Sequence, residues 1–143
     1  MPTRNASARW EGPFKRGSGT MNVGSGAYEG PYSAQSRFED GEGTNPEELL
    51  GAAHAGCFSM ALALALGEAG HDPESVETDA AVHIDPADGG GFEITRIELS
   101  TRARVPGIDD DEFQRVAQAA KEGCPVSKAL AGADISLEAS LES

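Results

Sequence analysis

An α+β fold in one domain spanning residues 1–143 follows from three observations. Short alternating segments open the chain. A long uncharged stretch from Leu49 to Gly67 lies between a strong helix-start signal and a glycine stop. Two further alternating runs then precede a pair of helical segments and a last alternating run. The predicted order is βββ-α-ββ-αα-β.

The first strands are read at residues 7–10 and 20–23, either side of a turn-rich Gly12-Pro13 to Gly19 segment. Residues 24–31 read as another turn region. Residues 33–38 alternate, which predicts a third strand with Arg37 and Phe38 on opposite faces. Asn45-Pro46-Glu47-Glu48 predicts a helix start: Asn45 caps, Pro46 suits the first helical position and Glu48 closes a capping box. Glu48 thus has a structural task that its neighbour Glu47 lacks. The helix is expected to run to Ala69, with Gly70 as its left-handed stop and Pro73 beyond.

Val76, Thr78, Ala80, Val82 and Ile84 share one strand face, and His83 lies with Glu77 and Asp79 on the solvated one. After a turn through Asp85-Pro86 and Gly89-Gly90-Gly91, a strand covers residues 92–105. Its apolar phase switches between Ile94 and Ile97, predicting a bulge near Thr95-Arg96. Asp109 and Glu112 form a capping box, and Ile108 with Phe113 a hydrophobic staple. Phe113, Val116, Ala117 and Ala120 make the buried stripe of that helix, which Gly123 ends. Cys124-Pro125 starts a short helix, and Ile135, Leu137, Ala139 and Leu141 alternate as a final strand. No repeat and no linker is visible.

A chain of 143 residues with 38% hydrophobic content is long enough for a real core. The net charge of −13 disfavours nucleic acid and anionic membranes as partners. Leu49 to Gly67 is long enough to span a bilayer, yet it is rich in Ala and Gly, contains His54 and Ser59, and lacks basic flanks, so a buried core helix is expected. The first residues show no apolar leader, which makes the cytoplasm the expected compartment. There a permanent structural disulfide is uncommon.

The chemistry rests on the two cysteines. Cys124 sits at a helix start, where backbone N–H groups favour negative charge, with Lys128 one turn on. Cys57 lies mid-helix and needs a cation brought to it if it is to react as a thiolate; read by itself, it is equally a small core hydrophobe. His54 and Cys57, three apart on one helix, raise metal binding with Cys124 or Glu47, but without any C-x-x-C pattern. His54 also reads as a packed or capped core histidine. The Gly-rich segments lack a phosphate-loop pattern.

Four blocks carry a resemblance: Arg37-Phe38-Glu39; Gly43-Thr44-Asn45-Pro46-Glu47-Glu48-Leu49; Ala52-Ala53-His54-Ala55-Gly56-Cys57-Phe58-Ser59-Met60; and Gly123-Cys124-Pro125-Val126-Ser127. Together they resemble the osmotically inducible branch of the OsmC/Ohr family of thiol peroxidases, and the likeness extends from Trp10-Glu11-Gly12 to the final strand. The resemblance implies an OsmC-like fold of antiparallel β-sheets around a long central helix, in an intertwined homodimer with active sites at the subunit interface. It implies reduction of organic hydroperoxides in an osmotic or oxidative stress response. Cys57 would attack the peroxide and Cys124 would resolve the sulfenic acid into a disulfide. Arg37 and Glu47 match the family's arginine and glutamate, no metal or cofactor is expected, and a dihydrolipoyl group, dihydrolipoamide or a lipoylated protein, is the expected reductant.

Two physical consequences accompany these roles. A guanidinium from Arg37, held bidentately by Glu47, would stabilise the Cys57 thiolate. Phe38, Phe58 and Met60 would give an apolar pocket suited to an alkyl or aryl hydroperoxide. Glu47 and Cys57 are separated by about 15 Å of helix rise, so Glu47 reaches the thiol through an intermediary or from another chain. A metal-binding protein using His54, Cys57 and Cys124, or a non-catalytic acidic stress protein, are the alternative readings.

Overall fold

The first three strands, β1 (Ala6–Glu11), β2 (Ser18–Val23) and β3 (Glu29–Tyr32), form an antiparallel sheet in the computed structural model, which describes residues 1–142. By its internal contacts the chain divides after Leu49 into two compact units. In the first, the Trp10 and Tyr32 rings meet at a tilt of 57°, with centroids 5.5 Å apart. Gly19 lies between them: a Cβ there would come within 2.6 Å of the Tyr32 ring and 2.8 Å of the Arg9 carbonyl.

The third strand falls on residues predicted as turn, and the predicted strand at 33–38 is a helix, α1 (Ala34–Phe38). Ser33 and Ser36 form a reciprocal capping box, which outweighs six residues of alternation. The Ser36 hydroxyl also donates to the Thr44 carbonyl at 2.6 Å, and the Asn45 amide donates to the Ser36 carbonyl at 3.0 Å. These bonds tie α1 to the start of α2 (Pro46–Glu68). The Glu48 N–H donates to Asn45 Oδ1 at 2.7 Å, as expected of the cap. The Glu48 carboxylate, however, accepts from Thr44 Oγ1 instead of closing the box. Among the described residues of the first unit, the one buried apolar side chain is Ala34; its other buried side chains include Ser36, Thr44 and Glu47.

The second unit carries the hydrophobic core. α2 ends as predicted: Gly70 has φ +92, and the His71 N–H donates to the Leu66 carbonyl at 2.9 Å. β4 (Ser75–Pro86) and β5 (Phe92–Arg104) pair antiparallel, and His83↔Arg96 is followed by Ile84↔Ile94, so Thr95 is the bulged residue. β6 (Asp134–Glu142) pairs with β5 in parallel, which corrects the all-antiparallel expectation. The connection between them is a crossover through α3 (Asp110–Gly123) and α4 (Pro125–Ala129), the kind of return that parallel strands require.

Asp109 caps α3 through the Glu112 N–H at 2.8 Å, while the Glu112 carboxylate binds His71 Nε2 at 3.1 Å. Gly123 is the last helical residue and not a left-handed stop. Cys124 ends the helix, at φ −62 and ψ 121, because Pro125 forces the preceding residue out of the helical region. Phe58, Leu62 and Leu66 of α2 pack with Ile97, Leu99 and Ala103 of β5 and with Phe113, Ala117 and Ala120 of α3.

Candidate active site

The joint between α3 and α4 sets one thiol against α2. Cys124 Sγ lies 3.1 Å from Cys57 Sγ, and both cysteines are free. Cys124 is fully buried, whereas Cys57 is half-buried. Cys57 also lines an apolar cleft of about 890 Å³ with Met60, Leu64, Ala120 and Pro125, and Glu68 contributes the one carboxylate of its lining.

One thiol hydrogen-bonds the other, and their surroundings set the direction. Burial opposes ionisation of Cys124, but the Cys57 thiol, the N–H and hydroxyl of Ser127 and the N–H of Val126 together outweigh it and lower its pKa. Burial raises the Cys57 pKa, and its hydrogen bond to Cys124 raises it further. Within this unit Cys124 is therefore the more readily ionised of the two thiols, as the helix-start reasoning expected.

His54, one turn before Cys57 on α2, is fully buried. Its Nε2 lies 2.7 Å from Ser127 Oγ, and its Nδ1 has no hydrogen-bond partner. Burial lowers its pKa. Ser127 is a residue to which sequence reasoning gave no role; the signal was a hydroxyl one helical turn after Cys124.

Arg37 and Glu47 meet in the first unit. Arg37 Nε and Nη2 donate to the two Glu47 carboxylate oxygens at 3.1 and 2.9 Å. The carboxylate is buried, and the Arg37 guanidinium lies 5.3 Å from the centre of the Phe38 ring, which in turn meets Phe14. Arg37 also borders a hollow of about 230 Å³ with Trp10, Phe14 and Tyr32.

The structure thus pairs Cys57 with Cys124 and Arg37 with Glu47. Of the three apolar candidates, Met60 lines the cleft, Phe38 lies in the first unit, and Phe58 is packed in the core. Among the described residues, no three His, Cys, Asp or Glu side chains converge as a metal set.

The sequence matches the OsmC-like protein family over residues 39–139. It is 52% identical over 141 residues to Peroxiredoxin OsmC of Escherichia coli (strain K12), covering 98% of this chain and 97% of that protein. An organic hydroperoxide resistance protein of Xanthomonas axonopodis pv. citri (strain 306) is 41% identical, over 64% of this chain and 63% of that one. Among solved structures, the organic hydroperoxide resistance protein OhrB of Bacillus subtilis superposes with a TM-score of 0.69 at 25% identity, covering 96% of this chain and 98% of that one. An OsmC-like protein of unknown function from Vibrio cholerae gives 0.78 at 15% identity, covering 97% and 99%, a likeness of fold alone. The chain belongs to the OsmC-like protein family and is a thiol-dependent peroxidase.

Proposed function

We propose that the protein reduces organic hydroperoxides to alcohols through a Cys57 sulfenic acid and a Cys57–Cys124 disulfide. The observation that carries this reading is the pair of free thiols 3.1 Å apart, one opening on an apolar cleft and the other fully buried. A hydroperoxide entering the cleft meets Cys57 first. The Cys57 thiolate attacks the outer peroxide oxygen, the O–O bond breaks, and the alkoxide takes a proton and leaves as the alcohol. Cys124 then attacks the sulfenic sulfur, forming the disulfide and releasing water. A dihydrolipoyl dithiol returns both cysteines to thiols by exchange. This cycle suits the cytoplasm, where thiols are kept reduced.

Arg37, gripped by Glu47, is the proposed source of positive charge for the Cys57 thiolate. The proposed working form is a homodimer, supported separately by each unit. Among the described residues of the first unit, one apolar side chain, Ala34, is buried, too little core for a free-standing fold. In the second, the outward face of α2 carries Ala52, Ala53, Gly56, Met60 and Leu64, with Met60 76% and Leu64 66% exposed. By length and composition α2 could cross a membrane. Its opposite face is committed to the core through Phe58, Leu62 and Leu66, and small residues on the open face suit close approach by a second copy.

The test is NADH-coupled consumption of an organic hydroperoxide with a lipoyl reducing system. Sustained turnover, faster with an alkyl or aryl hydroperoxide than with hydrogen peroxide, is expected. No turnover from protein whose two thiols still titrate would overturn the reading.

A further inference from the structure

We infer that His54 and Ser127 are positioning residues for the resolving thiol: the His54 imidazole holds the Ser127 hydroxyl so that its proton points at the Cys124 sulfur. The inference rests on the proposed role of Cys124 as the group that closes the disulfide.

His54 occupies the buried stripe of α2 with Gly51, Phe58 and Leu62, where an apolar side chain would pack at lower cost. The one polar contact it makes there is to Ser127, at 2.7 Å, and Nδ1 is an orphan. Three arrangements of protons are possible. If Nε2 accepted from the Ser127 hydroxyl, Nδ1 would carry a proton with no acceptor, and the serine proton would be spent on the ring. If both nitrogens were protonated, a charge would be buried and Nδ1–H would again be orphaned. If Nε2–H donates, Nδ1 keeps only an unused lone pair, and buried acceptors without partners are tolerated better than buried donors. The third arrangement is therefore selected, and it leaves the Ser127 proton free for the neighbouring sulfur.

The donors then run in one direction, from His54 Nε2–H to Ser127 Oγ–H to Cys124, with the Cys57 thiol 3.1 Å from the same sulfur. Bonds aligned head to tail reinforce one another. The consequence falls on the second chemical step. The Cys124 thiolate lone pair forms the S–S bond, the S–O bond of the Cys57 sulfenic acid breaks, and the leaving oxygen departs as water after taking one proton from solvent. Peroxide attack at Cys57 does not use this donor chain.

The titratable group facing Cys124 is Cys57 from α2, with His54 behind Ser127; α4 contributes the Ser127 hydroxyl and the N–H groups of Ser127 and Val126. The full-length protein with Ser127→Ala, Ser127→Thr, His54→Leu and His54→Gln would be mixed with cumene hydroperoxide. Sulfenic acid would be trapped with dimedone, and disulfide formation followed by loss of free thiol. Ser127→Ala and His54→Leu are expected not to slow sulfenic acid formation, because they remove a competitor for the charge on Cys57, but to slow disulfide formation roughly tenfold at pH 7, the scale of one charge-assisted hydrogen bond. The deficit should shrink as pH rises and Cys124 ionises unaided. Ser127→Thr and His54→Gln, which retain a hydroxyl and an N–H donor, should recover most of the rate. Disulfide formation by Ser127→Ala at the wild-type rate and with the wild-type pH profile overturns the inference, even if His54→Leu fails to fold. A Cys124→Ser control separates the two levels: if it accumulates sulfenic acid while Ser127→Ala resolves normally, this inference alone fails. If it accumulates none, the assignment of Cys124 fails first.

Discussion

Replacing Arg37 by Ala should injure both folding and chemistry, and the two effects can be measured separately. Arg37 gives the Glu47 carboxylate two charge-assisted hydrogen bonds, and that carboxylate is 8% exposed. Without Arg37 a buried charge loses its partner, which in a fully dry site costs about 3–5 kcal/mol. The Arg37 side chain is 35% exposed, so water can take part of its place. The expected destabilisation is therefore about 2 kcal/mol. Urea unfolding at a fixed protein concentration would measure it, the concentration being held because the stability of the proposed dimer would depend on it. Glu47→Gln keeps the shape and removes the charge, so Arg37→Ala should cost about 1 kcal/mol less in that background. On the chemical side, Arg37→Ala should slow sulfenic acid formation at neutral pH, and Arg37→Lys should restore only part of the rate because it lacks the planar fork. An Arg37→Ala cost that is the same in both backgrounds would refute the energetic reasoning. An unchanged pH profile for Cys57 alkylation would remove Arg37 from the site.

Cys57→Ser should abolish peroxide reduction and Cys124→Ser should react once and stall, with peroxide-treated wild type showing a Cys57–Cys124 link within one chain by mass spectrometry. A dominant interchain product, or near wild-type turnover by Cys57→Ser, contradicts the assignment. Mixed dimers of Glu47→Ala with Cys57→Ser subunits should regain about half of wild-type activity if Glu47 serves the partner's thiol, since one site then carries both defects and the other neither; no recovery places Glu47 with its own chain. Burial holds the His54 pKa below its ordinary 6.5, so below that pH the unfolded chain binds a proton that the folded chain refuses. Stability should be complete above pH 6.5 and fall with pH below it by up to about 1.4 kcal/mol per pH unit; His54→Gln should flatten that part of the curve, and an identical pH dependence in the two proteins would contradict it.

The sequence carried the signals with local causes. The Asn45 cap, the Gly70 stop, the Thr95 bulge and the Cys124-Pro125 joint each depend on a few adjacent residues, and each stands where it was expected. Features that depend on distant partners were not legible. Six alternating residues at 33–38 looked like a strand because nothing in their pattern reveals that Ser36 also bonds the Thr44 carbonyl. The parallel β5–β6 pairing depends on the path of the crossover, which residue alternation does not encode. Phe58 and Met60 were grouped as one pocket because α2 is apolar on every side, so its periodicity carries no phase. In the fold, Phe58 enters the core and Met60 faces the cleft. The Arg37–Glu47 pair was named from the resemblance, and its bidentate geometry was argued from the shapes of the two side chains.

The two thiols present a problem of charge placement. On the proposed assignment, peroxide attack needs the thiolate at Cys57, and resolution needs it at Cys124. Two sulfurs 3.1 Å apart do not both carry full charge; when one ionises, the surroundings decide which sulfur keeps the remaining proton. The Val126 N–H favours either thiolate, whereas the hydroxyl and N–H of Ser127 draw the charge to Cys124. The cleft offers Cys57 one carboxylate, Glu68, and no cation of its own. A guanidinium delivered to Cys57 would reverse the balance by moving one proton a short distance to Cys124. Once Cys57 is oxidised to sulfenic acid it no longer competes for charge, and the donors around Cys124 favour the second thiolate. On that assignment, the bias that opposes the first step would then favour the second. On the proposed assignment, the first step would wait until a cation is supplied from outside the thiols' own cleft, which would tie peroxide attack to assembly of the complete site.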